Sequence, residues 1–291
     1  MAARKKKVKN SSRASLPYLV CTVSVCPIRK KPSDTAEIVT QLLFGECGVV
    51  LLKKHNNWMK IRCCYDNYEG WIDSKQIVRI TESEKDNYTK SPSYCLDLVQ
   101  SLSGKNETFP IVLGSSLPQF DGLHCNIHDE RYLFNGLAID PERFEEISED
   151  LVDRLARKYL HAPYLWGGKS PFGIDCSGFT QIIFKMLGIF LPRDASQQVQ
   201  HGEIIDFHGG SKVGDLAFFE NSDGKIIHVG IILSENRIIH ASGRVRIDEI
   251  DHHGIYNRDL KKYTHVHRVT KRYFELNSNR EGMEELSISK V

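Results

Sequence analysis

The segment YLWGGKSPFGIDCSGFTQIIFKMLG, residues 164–188, places one cysteine between a glycine- and aromatic-rich loop and an apolar run with helical spacing. A cysteine that only fills a core would sit inside that periodicity, whereas Cys176 stands at its edge. Asp175 reads as an N-cap, which makes Cys176 the first helical residue. Phe179, Ile182, Ile183, Met186 and Leu187 then supply a buried face, and Gly188 a C-cap. A thiol at a helix N-terminus feels the positive end of the macrodipole, which lowers its pKa from about 8.5 by a unit or more. A neighbouring histidine would complete the activation of a nucleophile.

Two histidines downstream lie on apolar, strand-like stretches: His228 in IIHVGIIL and His240 in RIIHASG. Each could be a satisfied core residue. In sequence with Cys176, however, they have the order that a Cys-His-His triad needs, the first taking the thiol proton and the second orienting the first. Register supplies a test. An ideal two-residue turn at Glu235-Asn236 would set His228 opposite Gly243 and turn His240 to the other face of the sheet. A bulge or a three-residue loop puts both on one face, so cooperating histidines predict a hairpin that is not ideal.

Upstream, Asp140-Pro141 reads as N-cap and first-turn proline of a helix carrying Phe144, Ile147, Leu151, Leu155 and Tyr159 on one face. Strands are predicted at 213–219, 226–233, 237–242 and 264–270. The layout is α+β, with a cysteine-headed helix followed by strands, and is similar to papain-like thiol hydrolases. Residues 17–80 are short, β-branched-rich runs broken by Pro, Gly, Asn and Asp, the pattern of a small barrel. With PIRKKPS, NNWMKIR and YEGWID, this part resembles a bacterial SH3-like domain. Residues 81–91 are polar and aperiodic and are assigned as a linker. Residues 92–140 resemble a second, degenerate SH3-like unit, and 141–274 form the catalytic domain. A basic tail (1–16) and a polar tail (275–291) flank these parts.

The 291-residue chain is 41% hydrophobic and 26% charged, enough for a sizeable core. A net charge of +2 argues against a dedicated nucleic-acid binder; the cluster Arg4 to Lys7 lies in the polar tail. No apolar run is long enough for a membrane span, and no signal-like apolar core follows the basic residues, so a cytoplasmic location is expected. The eight cysteines include no CxxC pair and no Cys/His ligand spacing. Neither metal nor cofactor is expected, and seven of the eight read as small hydrophobes of a reducing compartment.

In order, YLWGGKSPFGIDCSGFT, LPRDASQQ, GDLAFFE, HVGIIL and HASG resemble the NlpC-type cell-wall cysteine peptidases over about residues 142–270, and the barrels resemble those of a subgroup with the same domain order. The resemblance implies hydrolysis of γ-D-glutamyl–diamino acid bonds in peptidoglycan peptides. It makes Cys176 the nucleophile, His228 the base, His240 the orienting residue and Tyr164 an oxyanion donor. It puts Asp175, Ser177, Arg193 and Asp194 at the substrate, although capping by Asp175 and an ion pair between Arg193 and Asp194 are alternatives. Ala195 stands where relatives can carry serine. In the similar subgroup the barrels close the groove and bind a free substrate amine through an acid and a tyrosine, with Glu69 as the candidate acid here. The implied partner is a peptide with a free N-terminal L-Ala, recycled in the cytoplasm. Alternatives are an exported endopeptidase or amidase acting on intact wall, an acyltransferase, and a non-catalytic wall-binding protein. Oligomeric state is not legible.

Overall fold

The structure, a computed structural model, describes residues 17–53, 56–90, 92–206 and 210–274; the expected tails at 1–16 and 275–291 lie outside these residues. The N-terminal part is all-β. Its seven antiparallel strands are bonded in the order Ile38–Leu43, Val25–Arg29, Glu69–Asp73, Trp58–Cys63, Cys47–Lys53, Tyr18–Cys21 and Ile77–Ile80. Alternation along these strands turns Leu19, Cys26, Ile28, Ile61 and Ile72 into a small core, as period-2 patterning requires.

The segment expected to be a linker contains a helix, α1 (Glu82–Thr89). Thr81 caps it through a reciprocal box: the Glu84 N–H donates to Thr81 Oγ1 at 3.1 Å and the Thr81 N–H to Glu84 Oε2 at 2.7 Å. Tyr88 is buried, and its hydroxyl accepts the His128 N–H at 2.7 Å. Residues 93–139 form two small antiparallel sheets, of four and three strands. Their core is shared with the first barrel, because Val20, Phe44, Cys47 and Ile80 pack with Leu102, Ile111, Cys125 and Phe134.

The C-terminal domain is α+β, as expected. Asp140 and Pro141 open only a 3-10 turn (Pro141–Arg143), and α2 (Glu149–Arg157) starts later, at Ser148, whose Oγ accepts the Leu151 N–H at 3.2 Å. Ser148 followed by Glu149-Asp150 is the stronger start, with two acids at the positive helix end. Phe144 and Ile147 still pack on the core from extended chain, and Tyr159 does so from the turn after α2.

Helix α3 (Cys176–Met186) is buried along its whole length and lies on a seven-stranded sheet; α4 (Ala195–Gln198) is one short turn beside it. The strands are β1 (Glu203–Ile205), β2 (Leu216–Glu220), β3 (Ile226–Ser234), β4 (Arg237–Ser242), β5 (Arg244–Asp251), β6 (Gly254–Asn257) and β7 (Lys262–Arg272). Their order is β1-β7-β2-β3-β4-β5-β6, and β6 also pairs with β7, so six strands make a ring. Phe179, Ile182 and Ile183 of α3 pack on Val229, Ile231, Ile239 and Ala241 of β3 and β4.

The β3–β4 hairpin is irregular, as cooperating histidines require. Gly230 pairs with His240 and Ile232 with Ile238, but Ser234 pairs with Arg237, which leaves Leu233 as an extra residue. That bulge puts His228 and His240 on one face.

The barrels grip the catalytic domain through buried charge. Glu46 receives Lys185 Nζ at 2.7 Å and Lys169 Nζ at 3.4 Å, with all three side chains at most 5% exposed. Lys185 also donates to the Gly114 carbonyl at 3.0 Å and sits over the Tyr94 ring. Gly167, at φ +77°, lies so close to the first barrel that a Cβ would fall 2.3 Å from the Ile38 carbonyl oxygen.

Candidate active site

Asp175 caps α3 and does more. Its Oδ1 accepts the Gly178 N–H at 2.7 Å and its Oδ2 the Gly167 N–H at 2.8 Å, fixing the glycine loop to the helix start. Arg193, fully buried, forks onto the same carboxylate at 2.9 and 2.6 Å, and donates to Ser177 Oγ at 2.9 Å and, through Nε, to Thr40 Oγ1 of the first barrel at 2.9 Å. The arginine's ion pair is therefore with Asp175. Asp194 stands apart, half-buried, with the Tyr68 hydroxyl hydrogen-bonded to it. Gln198, which the sequence did not single out, donates to the Ser177 carbonyl at 3.0 Å and accepts from Thr180 Oγ1 at 2.8 Å, bracing the first turn of α3.

This network holds Cys176 against β3, where the Val229 N–H points at its sulfur. His228 Nε2 lies 2.8 Å from His240 Nδ1, and His240 Nε2 lies 3.0 Å from Asp248 Oδ2. Asp248 is acceptor-only, so the His240 Nε2 carries a proton and its Nδ1 accepts from the His228 Nε2–H. The His228 Nδ1 is left with its lone pair. Arg246 lies against both Asp248 oxygens, Nη2 at 2.7 Å from Oδ1 and Nε at 2.7 Å from Oδ2. The Arg246 guanidinium and the His240 contact keep the Asp248 carboxyl low despite burial.

Asp248 was missed because RVRIDEID reads as a charged surface strand. Arg246 pairs directly with His240, and Asp248, two residues further on, is its diagonal neighbour on the same face. Tyr164 lies on the loop before Cys176, its N–H bonded to the Gly243 carbonyl at 3.0 Å. Glu69 is not brought to this site. Its two carboxylate oxygens take Lys60 and Arg62, each at 2.8 Å, on the neighbouring strand.

Residues 161–267 match the NlpC/P60 family, and residues 28–77 match the bacterial dipeptidyl-peptidase Sh3 domain. A gamma-D-glutamyl-L-lysine dipeptidyl-peptidase of Bacillus subtilis (strain 168) is 30% identical over 217 residues, 70% of this chain and 72% of that protein. The chain belongs to the NlpC/P60 family. Dipeptidyl-peptidase 6 of Lysinibacillus sphaericus is 27% identical over 255 residues, covering 79% of this chain and 91% of that one. An NlpC/P60 family protein from Bacillus cereus ATCC 10987 shares the fold at 21% identity, with a TM-score of 0.74 over 88% of this chain and 99% of that one.

Electrostatics in this NlpC/P60 site differ from the expectation of a helix-depressed thiol. Burial and the Asp175 carboxylate push the Cys176 thiol up to about 12, against the Val229 and Ser177 N–H groups and Arg193. Burial, with His240 and His265 adding to it, holds His228 well below the ordinary imidazole value. Both shifts favour neutral thiol and neutral imidazole in the resting site. The desolvation of both charged forms outweighs a macrodipole worth about 0.3–1 kcal/mol. Burial and the nearby Cys176 and Asp175 also raise the Tyr164 phenol to about 12, which keeps it a proton donor.

A resting neutral pair predicts how Cys176 titrates. Its alkylation by iodoacetamide should rise steadily with pH beyond pH 9, with no plateau of thiolate between pH 5 and 8. A Cys176-dependent thiolate absorbance already present at pH 6 would show a preformed ion pair instead.

Proposed function

We propose that this chain is a cysteine peptidase that hydrolyses the γ-D-glutamyl–diamino acid bond of free peptidoglycan peptides and releases L-Ala-γ-D-Glu. His228 Nδ1 takes the thiol proton as Cys176 Sγ adds to the γ-carbonyl. The Cys176 N–H at the helix start and the Tyr164 hydroxyl receive the oxyanion; losing one such donor typically costs about a hundredfold or more. The imidazolium, stabilised through His240 and Asp248, returns its proton to the departing diamino acid nitrogen. Water, deprotonated by His228, then cleaves the thioester.

The observation that carries the preference for a free amine is the contact of the first barrel with the catalytic loops. Trp166, 62% exposed, donates its indole N–H to Glu37 Oε1 at 2.9 Å, and Tyr68 lies on Asp194. Asp194 is half-buried and its carboxyl is raised by that burial, a site an ammonium group would satisfy. Asp194 with Tyr68, and Glu37 beside Trp166, thus take the part first assigned to Glu69. All eight cysteines are free thiols, which suits a reducing compartment and a cytoplasmic recycling role.

The test compares free L-Ala-γ-D-Glu-meso-diaminopimelate with the same peptide capped on its alanine by N-acetylmuramic acid, using Cys176→Ala as control. Cysteine-dependent cleavage of the free peptide alone is expected. Equal cleavage of both would point to a wall hydrolase with an open groove, and cleavage of neither would remove the peptidase reading.

A further inference from the structure

His265 of β7 has no part in the proton relay, yet its ring stacks on His228, with centroids 4.2 Å apart and planes at 26°. It meets His240 edge-on at 5.6 Å. One ring nitrogen from each of His228, His240 and His265 lies within 4.8 Å of the others. Such a set escapes any reading of ligand spacing, because the three residues come from three strands.

We propose that these three imidazoles form a binding site for a divalent d-block cation, with Zn2+ as the probe, and that the cation inhibits the enzyme by replacing the proton between His228 and His240. The nitrogens turned away from the cluster are already engaged. His240 Nε2 donates to Asp248. His265 Nδ1 lies 2.9 Å from Thr264 Oγ1, whose hydroxyl also reaches the Ile255 carbonyl at 3.4 Å; with Nδ1 as the donor, Nε2 keeps its lone pair. Outer partners of this kind fix the tautomer and orientation of zinc-binding histidines. Neutral imidazole is the form a cation needs, and burial with His240 holds His265 at about 4.

The His228–His240 nitrogen separation of 2.8 Å must open to about 3.3 Å for two bonds of about 2.0–2.1 Å at a tetrahedral centre. Small rotations of two rings supply that, and the His265 ring turns out of its stack on His228 so that its lone pair points to the same centre. The proton displaced from His228 Nε2 passes to its Nδ1, so the ring stays neutral and no proton is lost. His228 then presents an N–H to Cys176 in place of a lone pair, and the base is gone. The fourth position on the metal is open to water. Binding stands without the peptidase reading; only the inhibition rests on it.

The experiment titrates the metal-free protein with Co2+ as a visible stand-in, and measures Zn2+ inhibition of peptide cleavage with reversal by EDTA. Variants His265→Phe, which keeps the stacked ring, and His265→Gln are each compared with their own uninhibited rate. One tetrahedral Co2+ spectrum per chain is expected, retained in Cys176→Ala and lost in both His265 variants. Half-inhibition by Zn2+ should need at least thirtyfold more metal in those variants. Unchanged inhibition, or a spectrum lost only in Cys176→Ala, would overturn the site. So would an anomalous map of a Zn2+-soaked crystal of the unaltered chain with metal elsewhere, even if both variants fail to fold. Should the unaltered enzyme cleave no peptide, the functional reading fails while the Co2+ titration still decides the site.

Discussion

Glu46→Gln is expected to destabilise the protein by about 3–5 kcal/mol, because it leaves two buried lysines without a counter-charge. Lys169 and Lys185 are each 3% exposed. A chain of this size should melt on the order of 10 °C lower. Burial alone would raise the Glu46 carboxyl, but Lys169, Lys185 and the Leu43 N–H outweigh it and bring it down to about 2. Burial pulls Lys185 downward as well; the 2.7 Å contact nonetheless makes it an ion pair. Since the folded-state pKa lies below the unfolded one, this stability is present above about pH 4.5 and is lost as pH falls towards 2. The gap between wild type and Glu46→Gln, measured by urea unfolding, should therefore shrink across that window. Replacing the trio together (Glu46→Leu, Lys169→Met, Lys185→Met) should restore most of the loss. A Glu46→Gln protein as stable as wild type at pH 7 would mean that the lysines are satisfied some other way.

Asp248→Asn should lower kcat by up to about ten-thousandfold, the loss seen when the carboxylate that orients a catalytic histidine becomes an amide and the wrong tautomer results. The reason lies in the proton chain. The amide lacks the charge that stabilises an imidazolium, and with its NH2 at the Oδ2 position it faces His240 Nε2 as a donor. His240 must then accept at Nε2 and carry its proton on Nδ1. That forces His228 to accept at Nε2 and to hold its proton on Nδ1, the nitrogen proposed to take the thiol proton. The base is blocked without any atom moving far. Circular dichroism and thermal melting should match wild type while kcat falls. A loss of less than tenfold would show that the carboxylate is a structural partner of Arg246 only.

The cysteine-headed helix was legible because its signals are local: Asp175, the apolar period after it and Gly188 all lie within one short segment. The hairpin was legible as a condition, two histidines that could work together only across a bulge, and Leu233 meets it. What stayed hidden depends on residues far apart in the chain. Asp248 reaches His240 only once β5 folds back, and its strand looks polar because its charges face an arginine–aspartate network and not solvent alone. Glu69 seemed a free acid in YEGWID, but cross-strand pairing hands it to Lys60 and Arg62. Helix α1 carried a readable box in Thr81 and Glu84, obscured by a composition with a single anchoring aromatic, Tyr88. The thiol pKa went the other way because a helix start was visible in sequence whereas the depth of its burial was not.

Helix α3 has Cys176 at one end and Lys185 about 14 Å along its axis at the other. One end belongs to the chemistry, the other to Glu46 and Gly114 of the barrels. A cut between the domains of this chain would strand a buried ammonium at the far end of the helix that begins with Cys176, so position 185 ties the two parts together.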